Sequence, residues 1–387
     1  MTKLTKHRLY WIGRNMLKQA VCSKPAKRMM YDDSNTFPPS DPVVLRWPDG
    51  LRKPIVGLVP DQHPKNPYWT KYRRFLETNK IPFQLYDIHK SGWLAAAKDF
   101  DMILWRPFSS PPDLEECRRK IFILEKNMGK VCYPTFRIAM IYEDKALQYE
   151  LMKLHGLPVV ETFISHSYSE ILSVIPRMQY PVVAKLLTGS GSLGTEFVAN
   201  EHAARKLAKH VFSFAGRQGY WPFLRQKDYV YFQRFIPGAH YDLRVIIVGD
   251  VACGYFRDVP QGEFRASGMH TQRNGELPMK ALLIAREVAM RLDLVSVAVD
   301  MLYDQEREAF LIIELSTFVL IESTVDAAAR LDGVPGVYRF CADHGDYSFE
   351  PAEFWLQEWV LREIFRRSWF AQKHTSASCN STNILDV

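Results

Sequence analysis

The hydrophobic positions of residues 54–140 form short apolar runs that alternate with amphipathic stretches. The short runs are typical of buried strands, and the longer stretches repeat their hydrophobic residues at helical spacing. The strand-like runs cover 55–59, 83–86, 102–105 and 131–133, and the helical stretches cover 68–79, 91–98 and 113–128. Strands that alternate with helices in this way predict a small α/β domain with an open parallel sheet.

Four polar residues follow the predicted strands of this sheet: Asp61, His63, Arg106 and Ser109. Open parallel sheets bind their ligands at the carboxyl ends of the strands. The four residues are therefore candidate ligand contacts, although each could equally be an ordinary residue of a surface loop.

The pattern changes after residue 140. Helical periodicity recurs over 144–157, 201–214, 278–292 and 353–370, and strand-like runs cover 229–236, 243–248, 251–257, 295–303 and 310–316. Hydrophobic runs joined by short turns favour a second, largely antiparallel sheet. We predict four parts: a basic extension and linker (1–53), the α/β domain (54–140), a second domain (141–350, with subdomains 141–224 and 225–350), and a C-terminal helix with a disordered tail (351–387).

Between residues 181 and 198 the pattern predicts two strands joined by a loop rich in glycine and serine. Lys185 ends the first strand. The loop contains Gly189, Ser190, Gly191, Ser192 and Gly194. Glycines let backbone N–H groups approach phosphate oxygens, and a nearby ammonium supplies the countercharge. The loop matches G-x-G-x-x-G, but no helix follows it directly, so a dinucleotide fold is not indicated. By itself the loop would be a flexible hairpin turn.

Two acidic residues, Asp300 and Glu314, lie on neighbouring predicted strands joined by a polar turn. If this hairpin is centred near residue 307, the two acids lie directly opposite each other and point to the same face. Opposed carboxylates repel unless a cation lies between them. Oxygen ligands around a cation that also touches phosphates indicate Mg²⁺. A register shifted by one residue would instead put one of the acids in solvent.

Three arginines, Arg244, Arg257 and Arg265, fall on or beside the strands between the loop and the acid pair. Converging arginines would hold a transferring phosphoryl group or an acyl phosphate, although a single arginine is more often a surface ion-pair partner. Upstream, residues 233–236 could present backbone groups to the edge of a base. As an isolated segment they would be an ordinary core strand.

Taken in order, these elements resemble the ATP-grasp superfamily, specifically the branch of the ribosomal-S6 glutamate ligase. The resemblance covers about residues 55–350. It implies an α+β ATP-grasp fold, in which two α+β subdomains enclose ATP, preceded by the small α/β domain as a pre-ATP-grasp domain. It also implies ATP and Mg²⁺ as cofactors.

The resemblance assigns roles to individual residues. Lys145, at a helix start, and Lys185 would bind the ATP phosphates, and residues 189–194 would cover them. The adenine hinge would be formed by Gln233, Phe235 and Ile236. Residues 240–244 resemble the family's D-x-R strand, and residues 264–267 resemble its F-R-x-N segment with serine in place of asparagine.

Asp300 and Glu314 match the two acidic Mg²⁺ ligands of the family. The usual E-x-N triplet is Glu314-Leu315-Ser316 here, so a shorter hydroxyl replaces the amide ligand. Ser316 would hold a metal-bound water or coordinate weakly. The substitution calls the second magnesium ion into question.

The implied reaction is ATP-dependent amide formation between a carboxylate and an amine through an acyl phosphate, in which Arg244, Arg257 and Arg265 stabilise the acyl phosphate. One alternative is an ATP-grasp kinase without an amine step. Another is a catalytically inactive ATP-binding module, for which Ser316 is the main argument. A purely structural α/β protein is disfavoured, because four spaced elements would have to coincide by chance.

The formal net charge is +7, but it is distributed unevenly. Residues 1–31 contain eight Lys or Arg residues and no acid, whereas the rest of the chain carries 42 basic and 43 acidic residues. A basic amphipathic helix in this segment could contact an anionic membrane surface. Packing on its own protein, or a partly disordered arm, is favoured, because Trp11 falls on the opposite face and Gly13 interrupts the apolar stripe.

No nucleic-acid-binding motif and no second basic stripe occur, so nucleic acid is not a predicted partner. The expected partners are a small-molecule carboxylate and an amine, or an anionic polymer acceptor such as an acidic sugar or peptide. The six cysteines are scattered without a C-x-x-C pair, and the chain has no apolar run long enough to span a bilayer. These features favour a cytoplasmic protein, peripheral at the inner face of the membrane if the basic segment binds lipid.

Overall fold

A computed structural model describes residues 41–60, 68–189, 192, 194–221, 223–266, 269, 271–318, 330–352 and 355–371. Within this part, the chain forms two compact units. The smaller unit is Val160–Pro237, and the larger one is formed by the described residues before and after it. The basic segment 1–31 and the tail beyond residue 375 lie outside the described residues. The domain boundaries predicted above stay a prediction.

The larger unit begins with a parallel sheet whose strand order is β2-β1-β3-β4. The strands are β1 (Val56–Val59), β2 (Phe83–Leu85), β3 (Met102–Trp105) and β4 (Val131–Tyr133). The connecting helices are α1 (Tyr68–Thr78), α2 (Trp93–Ala96, extended by a 3-10 turn at Ala97–Asp99) and α3 (Pro111–Phe122, continued by a π-turn at Ile123–Asn127). Ser110 caps α3 by accepting from the Asp113 amide. The predicted parallel sheet is confirmed.

Two further helices, α4 (Phe136–Ile141) and α5 (Lys145–Leu154), end this part of the larger unit. The apolar runs of β1 and β3 are buried along their whole length, as expected for a parallel sheet covered on both faces. Helix α5 begins where its N-cap, Asp144, accepts a hydrogen bond from the Leu147 amide at 3.0 Å.

The smaller unit is an antiparallel sheet of order β5-β10-β6-β7 with two helices packed on its core. Its elements are β5 (Thr162–Ser165), α6 (Tyr168–Val174, with a 3-10 turn at Ile175–Arg177), β6 (Val182–Ala184), β7 (Glu196–Val198), α7 (Glu201–Val211) and β10 (Val230–Arg234). A separate two-stranded ribbon pairs β8 (Arg217–Gln218) with β9 (Arg225–Gln226). The strand–loop–strand predicted between 181 and 198 is the β6–β7 pair.

The rest of the larger unit is an antiparallel sheet of eight strands, six of them in the order β15-β14-β11-β12-β17-β16. The strands are β11 (Tyr241–Val248), β12 (Val251–Asp258), β13 (Gln272–Arg273), β14 (Ser296–Asp304), β15 (Ala309–Ser316), β16 (Arg330–Leu331), β17 (Val334–Cys341) and β18 (Asp346–Pro351). The helices are α8 (Met279–Arg291) and α9 (Leu356–Ile364, continued by a π-turn at Phe365–Phe370). The predicted antiparallel sheet is confirmed.

One hydrophobic core connects both sheets of the larger unit with α1 and α9. Helices α1 and α9 also share an ion pair, because the partly exposed Arg74 side chain donates to the fully buried carboxylate of Glu358. The other oxygen of Glu358 accepts from the Val43 amide at 3.0 Å. Trp355 lies against the Arg74 guanidinium, with 3.7 Å between the guanidinium carbon and the ring centre. The C-terminal helix therefore belongs to the folded core rather than to a peripheral tail.

Sequence analysis did not predict β5, α6, β17 and β18. Strand β17 contains Pro335 and Gly336, which are typical of turns rather than of strands. A Cβ atom on Gly336 would come within 2.4 Å of the Glu350 carbonyl oxygen of β18. Glycine is therefore needed for the close approach of the two strands. This requirement becomes visible only once the two strands are paired. No helix in the described ranges is long and apolar enough to cross a membrane.

Candidate active site

Asp300 and Glu314 lie directly opposite each other on β14 and β15. The hairpin turn pairs Asp304 with Ala309, and this register, if continued, would pair Asp300 with Ile313. A β-bulge next to Asp300 inserts Ile313 as an extra residue, so that Met301 pairs with Ile312 and Asp300 with Glu314. The predicted facing of the two acids is confirmed, but a bulge produces it rather than a symmetrical hairpin.

The acid pair belongs to a row of side chains that crosses four strands. Tyr255, Arg244, Asp300 and Glu314 are successive cross-strand partners on β12, β11, β14 and β15. Directly opposed residues of antiparallel strands point to the same face, so the four side chains share one face of the sheet. Two residues along, Arg257 pairs with Asp242 and extends the same face. The alternate positions of these strands are buried in the core: Leu243, Val245, Val299 and Met301. We call Asp242, Arg244, Arg257, Asp300 and Glu314 the charged face.

Asp300 is held by two guanidinium groups. Arg244 donates to it in a bidentate manner, with Nε 2.7 Å from Oδ1 and Nη2 2.8 Å from Oδ2. The Nη2 atom of Arg257 lies 3.0 Å from Oδ2 of the same carboxylate. Burial alone would raise the pKa of Asp300, but the charges and hydrogen bonds of the two arginines outweigh it and hold the pKa well below its ordinary value. Asp300 therefore stays ionised.

Asp242 behaves differently, although Arg257 donates a hydrogen bond to it. Burial raises the pKa of Asp242 to about 6, and the nearby charge of Arg257 only partly opposes this shift. From the sequence, Asp242 was predicted only as the acid of the D-x-R strand, without a role of its own. Its spacing of two residues from Arg244 was the available signal, because residues i and i+2 of a strand share a face.

The raised pKa of Asp242 makes the stability of the fold depend on pH. Between pH 3.8 and about 6 the folded state keeps a proton that the unfolded state has released, so stability falls as the pH rises through this interval. Asp242→Asn removes this contribution. Urea unfolding at pH 4, 5, 6 and 7 should show the wild type losing stability relative to the variant up to pH 6 and not beyond. A difference between the two proteins that is constant from pH 4 to pH 7 would contradict the assignment.

Lys145 reaches the charged face from the first turn of α5. Its Nζ lies 3.1 Å from Oε1 of Glu314, and its side chain is 9% exposed. One turn further, the Gln148 side chain accepts from the Leu315 amide at 3.1 Å and donates to the Ile141 carbonyl at 3.1 Å. Gln148 thereby fixes α5 against β15, so Lys145 is placed beside Glu314. Sequence analysis gave no role to Gln148, because a glutamine within a helix carries no signal of its own.

Ser316 and Arg265 occupy less central positions. Ser316 pairs with Ala298 and points to the same side of β15 as Glu314. Arg265 pairs with Glu263, two residues before it, at 3.1 Å, so the structure does not join it to the charged face. Ser267, from the predicted F-R-x-S segment, lies outside the described residues.

The residues Asp300, Glu314 and Ser316 present hard oxygen donors on one face, and such donors suit a cation like Mg²⁺. Within the described ranges, no three His, Cys, Asp or Glu side chains lie together as a ready-made metal cluster. Asp300 would have to share its oxygens between the metal and the guanidinium groups. The donor set fits one hard cation whose coordination is completed by non-protein oxygens.

The smaller unit contains the other predicted nucleotide contacts. Lys185 is 9% exposed and directly follows β6, and its amide donates to the Tyr231 carbonyl of β10 at 3.1 Å. Gly189 and Gly194 have φ angles of +119° and +80°, which favour glycine. A Cβ atom on Gly194 would come within 2.2 Å of the Leu186 side chain. Of the other loop residues, Ser192 is described, whereas Ser190 and Gly191 lie outside the described residues.

The predicted adenine segment lies at the end of β10, next to β6. Gln233 pairs with Val183 of β6, and its side chain donates to the Thr162 hydroxyl at 3.3 Å. The Phe235 ring packs edge-to-face on Phe197 with 5.4 Å between ring centres. Ile236 is buried. The structure thus brings the segment and Lys185 onto neighbouring strands of one sheet, and their contacts to a nucleotide stay a prediction.

Comparisons with known proteins agree with this arrangement. A family model described as a RimK-like ATP-grasp domain matches residues 142–331. The α-aminoadipate–LysW ligase LysX of Saccharolobus solfataricus is 22% identical over 279 residues, which cover 67% of this chain and 92% of that protein. A probable α-L-glutamate ligase of Nitrosococcus oceani is 30% identical over 127 residues, covering 32% of this chain and 38% of the relative.

A crystal structure of D-alanine–D-alanine ligase from Bacillus anthracis, complexed with ATP, resembles this chain in fold. The TM-score is 0.50 at 13% identity, and the match covers 83% of this chain and 99% of the other. The expected α+β ATP-grasp fold is confirmed. The chain therefore carries a RimK-like ATP-grasp domain at residues 142–331, and this domain contains Lys145, Lys185 and the charged face.

Proposed function

We propose that the protein is an ATP-dependent carboxylate–amine ligase that works through an acyl phosphate. The observation that carries this proposal is the charged face within a RimK-like ATP-grasp domain. It opposes two carboxylates, of which one contacts Lys145 and the other contacts Arg244 and Arg257. Cationic side chains that alternate with carboxylates suit a reaction in which a phosphoryl group is bound, transferred and released as phosphate.

The reaction has two steps. An oxygen of the substrate carboxylate attacks the γ-phosphorus of ATP, and the bond to ADP breaks, leaving an acyl phosphate. The nitrogen of the amine then attacks the acyl carbon, phosphate leaves and a proton is lost, which gives the amide. Neither step needs a covalent nucleophile from the protein. The protein must instead position the reactants, balance their charge and exclude water from the acyl phosphate.

The residues of the larger unit divide this work. Lys145 would neutralise phosphate charge, and Arg244 and Arg257 would hold the acyl phosphate, with Arg265 as a further candidate. Asp300, Glu314 and Ser316 would hold Mg²⁺. When bound, Mg²⁺ would supply positive charge that polarises the phosphoryl oxygens. Asp300 and Glu314 also keep the cationic side chains in place before the substrates bind.

In the smaller unit, Lys185 would bind ATP phosphates beneath the loop of residues 189–194, and the adenine would contact Gln233, Phe235 and Ile236. The names of the relatives, an α-aminoadipate–LysW ligase and an α-L-glutamate ligase, favour an amino acid as one substrate. An anionic polymer acceptor, membrane contact through residues 1–31 and a cytoplasmic location remain predictions from sequence.

The test is Mg²⁺-dependent ADP release with pooled acids and amines, and the products are identified by mass spectrometry. An amide product supports the ligase, whereas a phosphorylated product identifies a kinase. Lys185→Ala is expected to lower ADP release by about 10²- to 10³-fold, because a buried countercharge to the phosphates is lost. Lys209→Ala, on an exposed site of α7 in the same unit, is the matched control and should keep wild-type activity. Full activity of Lys185→Ala would refute the role of this lysine.

One observation favours a second candidate, an ATP-binding module without turnover. Ser316 replaces the amide ligand of the family pattern, and both oxygens of Asp300 already accept from Arg244. In that case the protein would bind ATP but release no ADP with any acid and amine. If the serine alone is the limitation, Ser316→Asn should restore ADP release.

A further inference from the structure

Tyr255, on β12, stands at one end of the row of side chains that contains the acid pair. It is the cross-strand partner of Arg244 on β11, and Arg244 is in turn the partner of Asp300 on β14. Directly opposed residues of antiparallel strands share a face, so the Tyr255 side chain lies on the same side of the sheet as the charged face. Neither the sequence motifs nor the family resemblance assigns a role to this tyrosine.

The Tyr255 ring is held in place, whereas its hydroxyl is available to a ligand. The half-buried ring packs against the hydrophobic core of the larger unit, and the guanidinium carbon of Arg257 lies 6.0 Å from the ring centre. Within the part of the chain that the structure describes, the Tyr255 hydroxyl has no hydrogen-bond partner. A side chain that is already ordered loses little entropy when its hydroxyl binds a ligand. Tyr255 therefore offers a preorganised donor beside two arginines.

The position of Tyr255 along the row indicates which reactant it meets. Neighbouring strands lie about 4.8 Å apart, so the Tyr255 backbone is about 10 Å from that of Asp300 and about 14 Å from that of Glu314. Lys145, the proposed phosphate contact of the larger unit, is paired with Glu314 at the far end of the row. In phosphoryl transfer, the attacking oxygen approaches from the side opposite the leaving group. The attacking carboxylate is therefore expected at the Tyr255 end, beside Arg244.

We infer that the Tyr255 hydroxyl donates a hydrogen bond to the carboxylate of the acid substrate. This inference rests on the proposed ligase function. A hydrogen bond to an ionised acceptor is stronger than one between neutral groups, and Arg244 and Arg257 keep the acceptor ionised. The bond orients the carboxylate for attack on the γ-phosphorus. Tyr255 is thus a binding residue for the acid and does not contact ATP.

The test replaces Tyr255 with phenylalanine, which removes the hydroxyl and keeps the ring. ADP release is measured with Mg²⁺, ATP and pooled amines while a pool of monocarboxylates, dicarboxylates, amino acids and short peptides is varied in concentration, and then while ATP is varied. Tyr255→Phe is expected to raise the half-saturating concentration of the acid pool by about ten- to a hundredfold, the worth of a hydrogen bond to a charged group. The half-saturating ATP concentration should stay within about twofold of the wild-type value, because only acid binding is weakened.

Tyr303→Phe is the matched control. Tyr303 lies three residues after Asp300 on β14, so its side chain points to the opposite face of the sheet. Its ring also packs against the core and lies edge-to-face on Phe310, with 5.0 Å between ring centres. Like that of Tyr255, its hydroxyl has no hydrogen-bond partner among the described residues. Tyr303→Phe should leave both half-saturating concentrations unchanged, and equal effects of the two variants would leave Tyr255 with a structural role only.

The two titrations also distinguish a carboxylate from a phosphate as the partner of the hydroxyl. An unchanged half-saturating acid concentration in Tyr255→Phe overturns the inference. A half-saturating ATP concentration that rises instead would place the hydroxyl against a phosphate, and it overturns the inference as well. Thermal unfolding without ligands should be the same for Tyr255→Phe and the wild type, because the lost hydroxyl has no partner in the described part of the fold.

Acid binding is also followed by thermal shift without ATP, which separates this inference from the proposed function. If the acids stabilise the wild type more than Tyr255→Phe but no ADP is released, the role of Tyr255 is supported and the ligase is contradicted. Amide formation with the same half-saturating acid concentration in both proteins would support the ligase and contradict the role of Tyr255. A wild type that is neither stabilised nor activated by any acid of the pool overturns the role of Tyr255.

Discussion

Replacing Glu314 with glutamine is expected to lower Mg²⁺-dependent ADP formation by about 10²- to 10³-fold, the usual cost of removing one preorganised electrostatic contact. Glutamine keeps the size of the side chain but removes the charge that opposes Asp300 and contacts Lys145. The Glu314 side chain is 28% exposed, so folding should tolerate the change. ADP formation is measured at saturating ATP over a Mg²⁺ titration, and the variant should also need more Mg²⁺ for half-maximal activity.

Glu306→Gln is the matched control, because Glu306 is an exposed residue in the turn of the same hairpin. It should have wild-type activity and the same Mg²⁺ requirement. A rate of Glu314→Gln above roughly a third of the wild-type rate would show that Glu314 does not stabilise the transition state of phosphoryl transfer. Thermal unfolding of both variants shows whether a lost rate reflects a lost fold.

Replacing Glu358 with alanine is expected to destabilise the protein by about 1.5–3 kcal/mol, because a buried carboxylate that accepts from a guanidinium and from an amide is lost. Glu358 is fully buried and accepts from both Arg74 and the Val43 amide. Its loss leaves the Arg74 charge and one amide without this acceptor. The measurement is the free energy of unfolding in urea at pH 7.

The control for Glu358 lies on α1, the helix that carries its partner Arg74. Arg73 and Glu77 form an exposed ion pair one turn apart on α1, with side chains 42% and 51% exposed. Glu77→Ala should change the free energy of unfolding by no more than about 0.5 kcal/mol, because water screens this pair. Equal effects of Glu77→Ala and Glu358→Ala would show that α9 is not anchored through its buried carboxylate. Combining Glu358→Ala with Arg74→Ala measures the coupling between the two side chains.

Local pattern was enough to predict most of the helices and both kinds of sheet. The apolar runs of β1 and β3 and the capped start of α5 at Asp144 are short-range signals, and each agrees with the observed element. Strands β17 and β18 escaped prediction because Pro335 and Gly336 are local signals for a turn. Their pairing overrides this signal, since only glycine at position 336 allows the Glu350 backbone to approach so closely.

The order of the chemical groups along the chain was also available without a structure. Phosphate chemistry was indicated by Lys145, Lys185, the glycine-rich loop and the two acids. Lysine and glycine-rich loops are typical of phosphate binding, and paired carboxylates are typical of Mg²⁺ binding. The raised pKa of Asp242 was not predicted. Its pKa depends on burial and on Arg257, and burial is a property of the assembled sheet.

The amino-acid sequence alone determined which residues could lie on one face of a strand, since side chains alternate with a period of two. It therefore specified Asp242 with Arg244 on one strand, and Glu314 with Ser316 on another. Only the tertiary structure decided which strands face each other and in what register. The bulge at Ile313, the contact of Gln148 with Leu315 and the pair of Arg74 with Glu358 depend on residues that meet across long stretches of chain. Such contacts form because packing of the whole unit gives buried charges and buried backbone groups their partners. A local sequence pattern does not specify which partners these are.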